Sequence, residues 1–307
     1  MKIYTLTLNP AYDVHAYIET FAPYHENLAQ MQSKIAGGKG VNISRALVNA
    51  GIEHTAVVVV GNENASEFTR ELQEAGLHCF LIEKDGRIRE NLTFHCGNAP
   101  ETRISFAGFA LDPSIFDTLE QQLIIDDETY VTFTGRNPSG ITTADAMCFL
   151  KKLQAKGAKI ILDSKSFGLE DMYELKPWLI KPNQEEISEL LECEIHNFDE
   201  CVEKAKIFSQ NGIENVMVSL GEQGALLISN GEAIVATPPQ IKAVSTIGAG
   251  DSSIAGFLCA AYQNLSVTER IATAVSFGTA ACMTEGTEPP EYQQTKAILK
   301  DIKIQKI

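Results

Sequence analysis

The sequence predicts an α/β fold built on a mainly parallel sheet with helices on both faces. Short apolar runs alternate with helical segments along most of the chain, and some runs, such as residues 55–60 (TAVVVV), are apolar throughout. Such runs are typical of parallel strands buried on both faces, and their alternation with helices indicates that helices cover the sheet. Two strand-rich patches, about 12–36 and 88–110, break this rhythm, and we expect them to form a small β-sheet lid. Residues 1–307 are expected to form a single domain.

The individual elements follow from the apolar runs and from the glycine and proline residues that end them. An opening strand at 3–8 ends at Asn9-Pro10, and a turn is expected at 97–100 between two lid strands. Helices are predicted at 41–50, which ends at Gly51, at 65–75, which ends at Gly76, and after Asp251. The other strands are predicted at 55–60, 91–96, 102–106, 130–135, 159–163, 178–183, 216–220 and 225–229.

The composition excludes several classes of function. With 25 basic and 40 acidic residues, the chain has a formal net charge of −15, which repels nucleic acid and anionic lipid. Its seven cysteines form no CxxC pair, as is typical of reduced thiols in the cytoplasm. No stretch approaches the roughly 18 apolar residues that a membrane span needs. We therefore expect a cytoplasmic protein that binds neither nucleic acid nor membranes.

The motif with the clearest chemistry is Gly248-Ala249-Gly250-Asp251, which precedes a helical segment. Its small residues allow a tight turn, and the first amide groups of the helix have no partner within it, so they can cradle an anion such as a phosphoryl group. Asp251 lies at the mouth of this cradle, where a carboxylate can accept the proton of an attacking hydroxyl. Asp is also a common helix N-cap, and this segment alone favours neither role.

A second glycine-rich turn, Gly37-Gly38-Lys39-Gly40-Val41-Asn42, also leads into a helical segment. Its spacing does not match a dinucleotide-binding motif, because no GxGxxG is present. In open α/β sheets, ligands bind beyond the carboxyl ends of the strands, so both glycine-rich turns are expected at the same edge of the sheet.

Together the two motifs resemble both signature regions of the PfkB (ribokinase-like) carbohydrate kinases. The resemblance includes Gly51 and Gly61 after the first motif and Ala255-Gly256 after the second, and it covers essentially the whole chain. It implies a ribokinase-like fold and a kinase that uses ATP and Mg²⁺ to phosphorylate a hydroxyl of a sugar or sugar phosphate. It also implies a homodimer that pairs through the lid.

The resemblance implies roles for the second motif and for the Asn-x-x-Glu element at 183–186. Asp251 would be the catalytic base, and the amide groups of Gly248, Ala249 and Gly250 would stabilise the transferring phosphoryl group. Asn183 and Glu186 would hold Mg²⁺, largely through water, a coordination that suits this cation. The same Asn-to-Glu spacing also fits a capping box at the start of a helix.

The remaining nucleotide contacts are implied by the segment Ser219-Leu220-Gly221-Glu222-Gln223-Gly224, which looks like the nucleotide-binding turn of the family. The residues expected to bind ATP are Asn183, Ser219, Gly221, Gly224 and Gly250.

The opening TLTLNPAYD is similar to the branch that contains 1-phosphofructokinase and tagatose-6-phosphate kinase. This similarity implies that Arg89 and Asn91 form an Arg-x-Asn element whose arginine grips the phosphate of the substrate, a task that suits the guanidinium fork. The alternative is that Arg89 is a solvated charge on a lid strand. The residues expected to bind the sugar are Asp13, Gly38, Lys39, Asn42, Arg89 and Asn91.

The sugar end departs from the pattern of the branch. Leu28 follows Asn27 where the branch has an arginine, whereas Arg103 and Arg136 stand where it has none. These two arginines are candidates for rebuilding the phosphate clamp around fructose 1-phosphate or tagatose 6-phosphate. The same departures leave open a kinase of a non-phosphorylated sugar or nucleoside, and a catalytically silent sensor of sugar phosphates.

Overall fold

A computed structural model describes residues 1–97 and 102–307. Within these ranges the chain has fourteen strands, ten α-helices and a short 3₁₀-helix at Gly221–Gln223. The strands are β1 Lys2–Thr7, β2 Ala11–Tyr17, β3 Gln30–Gly37, β4 Thr55–Gly61, β5 Cys79–Lys84, β6 Arg89–His95, β7 Thr102–Ser105, β8 Thr129–Thr134, β9 Lys159–Asp163, β10 Leu179–Ile180, β11 Asn215–Ser219, β12 Ala225–Ser229, β13 Glu232–Thr237 and β14 Lys303–Lys306. The helices are α1 Lys39–Asn49, α2 Ala65–Glu74, α3 Ile115–Gln122, α4 Thr143–Ala155, α5 Leu169–Leu175, α6 Gln184–Leu191, α7 Phe198–Gln210, α8 Ala249–Tyr262, α9 Val267–Ala281 and α10 Tyr292–Leu299.

The main sheet has ten strands in the order β14-β13-β12-β11-β10-β9-β8-β1-β4-β5. Every pairing from β5 to β11 is parallel, and the pairings of β12, β13 and β14 are antiparallel. Strand β1 lies at the centre of the parallel part, with Leu6 opposite Val57 on one side and Phe133 on the other. The predicted α/β fold with a mainly parallel sheet is confirmed.

Helices cover both faces of this sheet because successive strand side chains point in opposite directions. On β11, Val216 and Val218 pack into one apolar cluster together with Phe208 of α7. Met217, between them, packs into the opposite cluster together with Phe257 of α8. The strand is therefore buried on both faces, as its continuous apolar run predicts.

A second, four-stranded sheet has the order β3-β2-β6-β7 and is formed by the two patches that break the helix–strand rhythm. Strand β2 pairs antiparallel with β3 and parallel with β6, and Asp13 lies opposite Asn91. This sheet is the predicted lid. The turn expected at 97–100 lies, beyond Gly97, outside the described residues.

The strand predicted at 178–183 is shorter in the structure, which gives only Leu179–Ile180. The ladder is interrupted because Pro182 has no N–H group, and it resumes as a single bridge between Asn183 and Ser219. Among the described residues, no helix has both the length and the apolar character needed to cross a membrane.

Candidate active site

The second glycine motif forms the first turn of α8. Gly248 occupies the N-cap position with φ 79°, in the left-handed region that favours glycine, and the helix begins at Ala249. Asp251 is therefore the third helical residue and not the N-cap. Its carboxylate is only 7% exposed, and its Oδ2 accepts a hydrogen bond of 2.9 Å from Nδ2 of Asn42. The cap role that the sequence left open belongs to Gly248.

The environment of Asp251 favours a carboxyl group that can gain and lose a proton near neutral pH. Burial raises its pKa to about 6, and the negative charge of Asp163 also raises it. The charges of Lys39 and Lys181 and the hydrogen bond from Asn42 act in the opposite direction. A base whose pKa lies near the working pH is suited to proton transfer.

The first glycine motif brings α1 against this site through close backbone contacts. A Cβ on Gly40 would lie 2.5 Å from the carbonyl oxygen of Leu6, and a Cβ on Gly37 would lie 2.5 Å from Oδ2 of Asp13. Gly38 is the N-cap of α1 with φ 119°. These approaches require glycine, and they place Asn42 beside Asp251 and Asp13 next to the motif.

Two lysines, Lys39 and Lys181, form ion pairs with the same buried carboxylate, that of Asp163. Nζ of Lys39 lies 2.6 Å from Oδ2 of Asp163, and Nζ of Lys181 lies 3.8 Å from Oδ1 of the same carboxylate. The sequence-based prediction assigned Lys39 to the sugar and gave no role to Asp163 or Lys181. The position of Asp163 could have identified it as a site residue, since it ends a buried strand at the edge where ligands bind in such sheets.

The acceptor end is formed by neighbouring strands of the lid. Asp13 is buried, and its Oδ1 accepts hydrogen bonds from Nδ2 of Asn91 at 2.8 Å and from Nη2 of Arg103 at 3.5 Å. Nη1 of Arg89 donates to the carbonyl oxygen of Phe106 at 3.1 Å. Burial lowers the pKa of Arg89, and the charges of Arg103 and Arg136 lower it further, whereas Asp13 raises it. Arg103 and Arg136 therefore lie near enough to Arg89 for their charges to act on it.

Several buried polar atoms at this end have no hydrogen-bond partner within the described part of the chain. They are Nε of Arg89 and the Oδ1 atoms of Asn42, Asn91 and Asn137. An unpaired buried polar group costs about 1–3 kcal/mol, so such a cluster is suited to a polar ligand that satisfies it. Leu28, in contrast, is 86% exposed and lies in the loop between β2 and β3.

The nucleotide end is a cavity of about 1210 Å³ between the 219–224 turn and the start of α8. Gly224 has φ 94°, and a Cβ there would lie 2.0 Å from the carbonyl oxygen of Ala236, so only glycine fits this turn. All residues predicted to bind ATP line this cavity, namely Asn183, Ser219, Gly221, Gly224 and Gly250.

The predicted metal residues begin α6 as a capping box. Oδ1 of Asn183 accepts from the amide of Glu186 at 2.8 Å, and Oε2 of Glu186 accepts from the amide of Asn183 at 3.0 Å. Oε1 of Glu186 lies 3.3 Å from Nζ of Lys165, so this oxygen already faces a cation. No group of three or more His, Cys, Asp or Glu among the described residues is arranged to enclose a metal. Two oxygen-bearing side chains beside a nucleotide cavity fit a Mg²⁺ ion that keeps several waters.

Comparison with known proteins gives consistent matches along the chain. Residues 7–294 match the profile of the pfkB family carbohydrate kinases. The 1-phosphofructokinase of Bacillus subtilis is 30% identical over 306 residues, which cover 99% of this chain and 100% of the relative. The 1-phosphofructokinase of Haemophilus influenzae is 28% identical over 99% of this chain and 98% of its own.

Solved structures give the same result. Phosphofructokinase-2 from Escherichia coli, in complex with substrates and products, superposes with a TM-score of 0.92 at 29% identity. The match covers 98% of this chain and 99% of that one. The same enzyme in complex with fructose-6-phosphate gives a TM-score of 0.90 at 28% identity, over 97% of this chain and 98% of that one. The ribokinase-like fold expected from the two glycine motifs is confirmed.

Proposed function

Because this chain belongs to the pfkB family of carbohydrate kinases, we propose that it transfers the γ-phosphoryl group of ATP to a hydroxyl of a ketohexose phosphate. The observation that carries the proposal is the buried carboxylate of Asp251 in the first turn of α8, next to Asn42 and between the two ends of the site. The relatives named 1-phosphofructokinase support a phosphorylated acceptor.

Asp251 accepts the proton of the acceptor hydroxyl as its oxygen attacks the γ-phosphorus. The new O–P bond forms while the bond from the γ-phosphorus to the β–γ bridging oxygen breaks, and ADP leaves with that oxygen. The amide groups at the start of α8 stabilise the charge on the transferring group, because they point outward without an intrahelical partner.

Asn183 and Glu186 would hold Mg²⁺ largely through water in this proposal. When bound, the ion neutralises charge on the phosphate oxygens. The capping box contributes to this arrangement, because it fixes both side chains at the start of α6.

The acceptor is held by side chains of the lid and of α1. Asp13, Asn42 and Asn91 are suited to sugar hydroxyls, because carboxylate and amide groups make directional hydrogen bonds. Arg89 is suited to the phosphate, and Arg103 and Arg136 take the place of the arginine that the branch has at the position of Leu28. Fructose 1-phosphate and tagatose 6-phosphate are the acceptors that we favour.

An acceptor panel tests this proposal. Release of ADP is measured with fructose 1-phosphate, tagatose 6-phosphate, fructose 6-phosphate, the free sugars and nucleosides. We expect the highest kcat/KM with a ketohexose phosphate. A higher kcat/KM with an unphosphorylated sugar or a nucleoside would contradict the proposed ketohexose phosphate and indicate that class of acceptor instead. Binding of sugar phosphate without any turnover would indicate a sensor.

We also propose a homodimer that pairs through the lid. The lid sheet and its loops carry exposed apolar side chains, including Phe21, Met31, Ile104 and Phe106, and a partner that covers them would remove them from water. The inhibited form of Escherichia coli phosphofructokinase-2 is described as tetrameric. Sedimentation of Ile104→Asp, with the exposed Ile124→Asp outside the lid as control, tests the interface. We expect Ile104→Asp to sediment as a monomer and Ile124→Asp to remain a dimer.

A cytoplasmic location is the last part of the proposal. The requirement for ATP supports it, and all seven cysteines are free thiols in the described residues. Labelling of the thiols in intact cells, with and without reductant, tests this location. Thiols that become reactive only after reduction would contradict it.

A further inference from the structure

Three charged side chains form a connected group at the floor of the candidate site. Lys39 is the first residue of α1, Asp163 is the last residue of β9, and Lys181 follows β10. The carboxylate of Asp163 is shared between the two ammonium groups, at 2.6 Å from Lys39 and 3.8 Å from Lys181. The side chains of Asp163 and Lys181 are 9% and 11% exposed, so this pair lies away from bulk water, whereas the side chain of Lys39 is 43% exposed.

The two lysines lie on different sides of the path that the phosphoryl group would take. Lys181 lies against the second motif, because a Cβ on Gly250 would stand 3.0 Å from its Nζ, and it lines the nucleotide cavity. Lys39 begins the helix that carries Asn42, and its charge acts on Asp251. Both lysines also line a smaller cavity of about 510 Å³, together with Asp163 and Arg136.

The pKa values of Asp163 and Lys39 both shift in the direction that favours their charged forms. Burial opposes the charge of Asp163, but the two lysines outweigh it and hold the pKa of this carboxyl below its usual value. Burial likewise opposes the charge of Lys39, yet the carboxylates around it, Asp163 first, raise its pKa. The two ion pairs with Asp163 hold both ammonium groups in place before any phosphate arrives.

We propose that Asp163 is a positioning residue for the phosphoryl transfer, because it holds Lys39 on the acceptor side and Lys181 on the donor side. This inference rests on the proposed kinase function. The charge of the transferring group is spread over three oxygens, and donors that are already oriented in a buried site stabilise it most effectively. A carboxylate that pairs with both lysines keeps them oriented without occupying the space of the phosphate.

The variant Asp163→Asn tests the inference, because the amide keeps the shape of the carboxylate and removes its charge. We expect kcat to fall on the order of 100-fold, as for a misplaced catalytic group, while the KM values for ATP and the acceptor change little. The matched control is Asp127→Asn, the same change at an exposed carboxylate that lines neither cavity, which we expect to retain wild-type kcat.

The pH profile separates positioning from a purely structural role. The charges and donors that act on Asp251 come from α1 (Lys39 and Asn42), β9 (Asp163) and the residue after β10 (Lys181). Because Asp163 raises the pKa of Asp251, its neutralisation moves the acidic limb of kcat/KM to lower pH. The variant Asp163→Glu restores the charge, so its limb returns to the wild-type position, and its kcat lies between those of wild type and Asp163→Asn.

Several outcomes would overturn the inference. Wild-type protein without phosphoryl transfer would overturn the proposed function together with it. Active wild type and a folded Asp163→Asn with unchanged kcat and an unmoved acidic limb would overturn the positioning role alone. If Asp163→Asn shows no cooperative melting transition, the test uses Asp163→Glu instead. A wild-type kcat in Asp163→Glu would overturn the inference, because it would show that the placement of the carboxylate does not matter.

Discussion

Asn42 donates a hydrogen bond from Nδ2 to Oδ2 of Asp251 at 2.9 Å, although 209 positions separate them in the sequence. The contact joins the two glycine-rich motifs, since Asn42 is the last residue of one and lies in α1, and Asp251 is the last residue of the other and lies in the first turn of α8. The bond favours the ionised form of a carboxyl whose pKa is otherwise raised by burial. Oδ1 of Asn42, the oxygen of the same amide, has no hydrogen-bond partner among the described residues and remains for the acceptor.

The pH dependence of wild-type activity follows from Asp251. The base must be ionised to accept a proton, and its pKa is raised to about 6. We therefore expect kcat/KM to fall as the pH decreases through about 6. Initial rates between pH 5 and pH 9 measure the profile, and full activity persisting down to pH 5 would contradict the assignment.

Removal of the hydrogen bond from Asn42 raises the pKa of Asp251 further. In Asn42→Ala we expect the acidic limb of kcat/KM to move to higher pH, because the ionised carboxylate loses a donor. Asn49→Ala is a matched control on the same helix, where the amide donates to the carbonyl oxygen of Pro290. A limb that shifts equally in both variants would show that the effect is not specific to Asp251.

The arginines of the acceptor end are expected to act on the sugar phosphate and not on ATP. Loss of one charged hydrogen bond costs about 1.5–3 kcal/mol, so Arg89→Ala and Arg103→Ala should each raise the KM for the acceptor by about 10–100-fold. The KM for ATP should stay constant. Arg70→Ala, an exposed arginine paired with Glu74 on α2, serves as control. An unchanged acceptor KM in Arg89→Ala would favour an unphosphorylated acceptor.

Two glycine substitutions separate folding from catalysis. A methyl group on Gly40 would meet the backbone of β1, which cannot move away, so Gly40→Ala should lower the free energy of unfolding by about 1–3 kcal/mol. A methyl group on Gly250 meets only the end of the Lys181 side chain and no backbone, so Gly250→Ala should fold and, because it displaces that ammonium group, lose kcat. Thermal melts and steady-state rates of both variants check this contrast. A Gly250→Ala variant that melts at a lower temperature, together with a Gly40→Ala variant as stable as wild type, would contradict both expectations.

Local patterns in the sequence predict much of the fold and of the nucleotide end. Gly40 and Gly224 are needed because of close backbone approaches, and such glycines mark turns even in a single sequence. The pairing of Lys39 with Asp163 could not be predicted, because it depends on how α1 and β9 lie in three dimensions. Strands β5, β13 and β14 also escaped prediction, since they lie towards the edges of the sheet and their sequences mix polar and apolar residues. The sequence shows that Leu28 stands where the branch has an arginine. It does not show which side chains take the place of that arginine, because this depends on how the strands of the lid lie in three dimensions.

The most direct test of the central claim is single-turnover phosphoryl transfer to a ketohexose phosphate by wild type and by Asp251→Asn. Loss of a positioned general base typically costs on the order of 10²–10⁴-fold in rate. We expect a loss of that size in Asp251→Asn, while ATP still raises its melting temperature as in wild type. Transfer at the wild-type rate by the folded variant would contradict the assignment of Asp251 as the base.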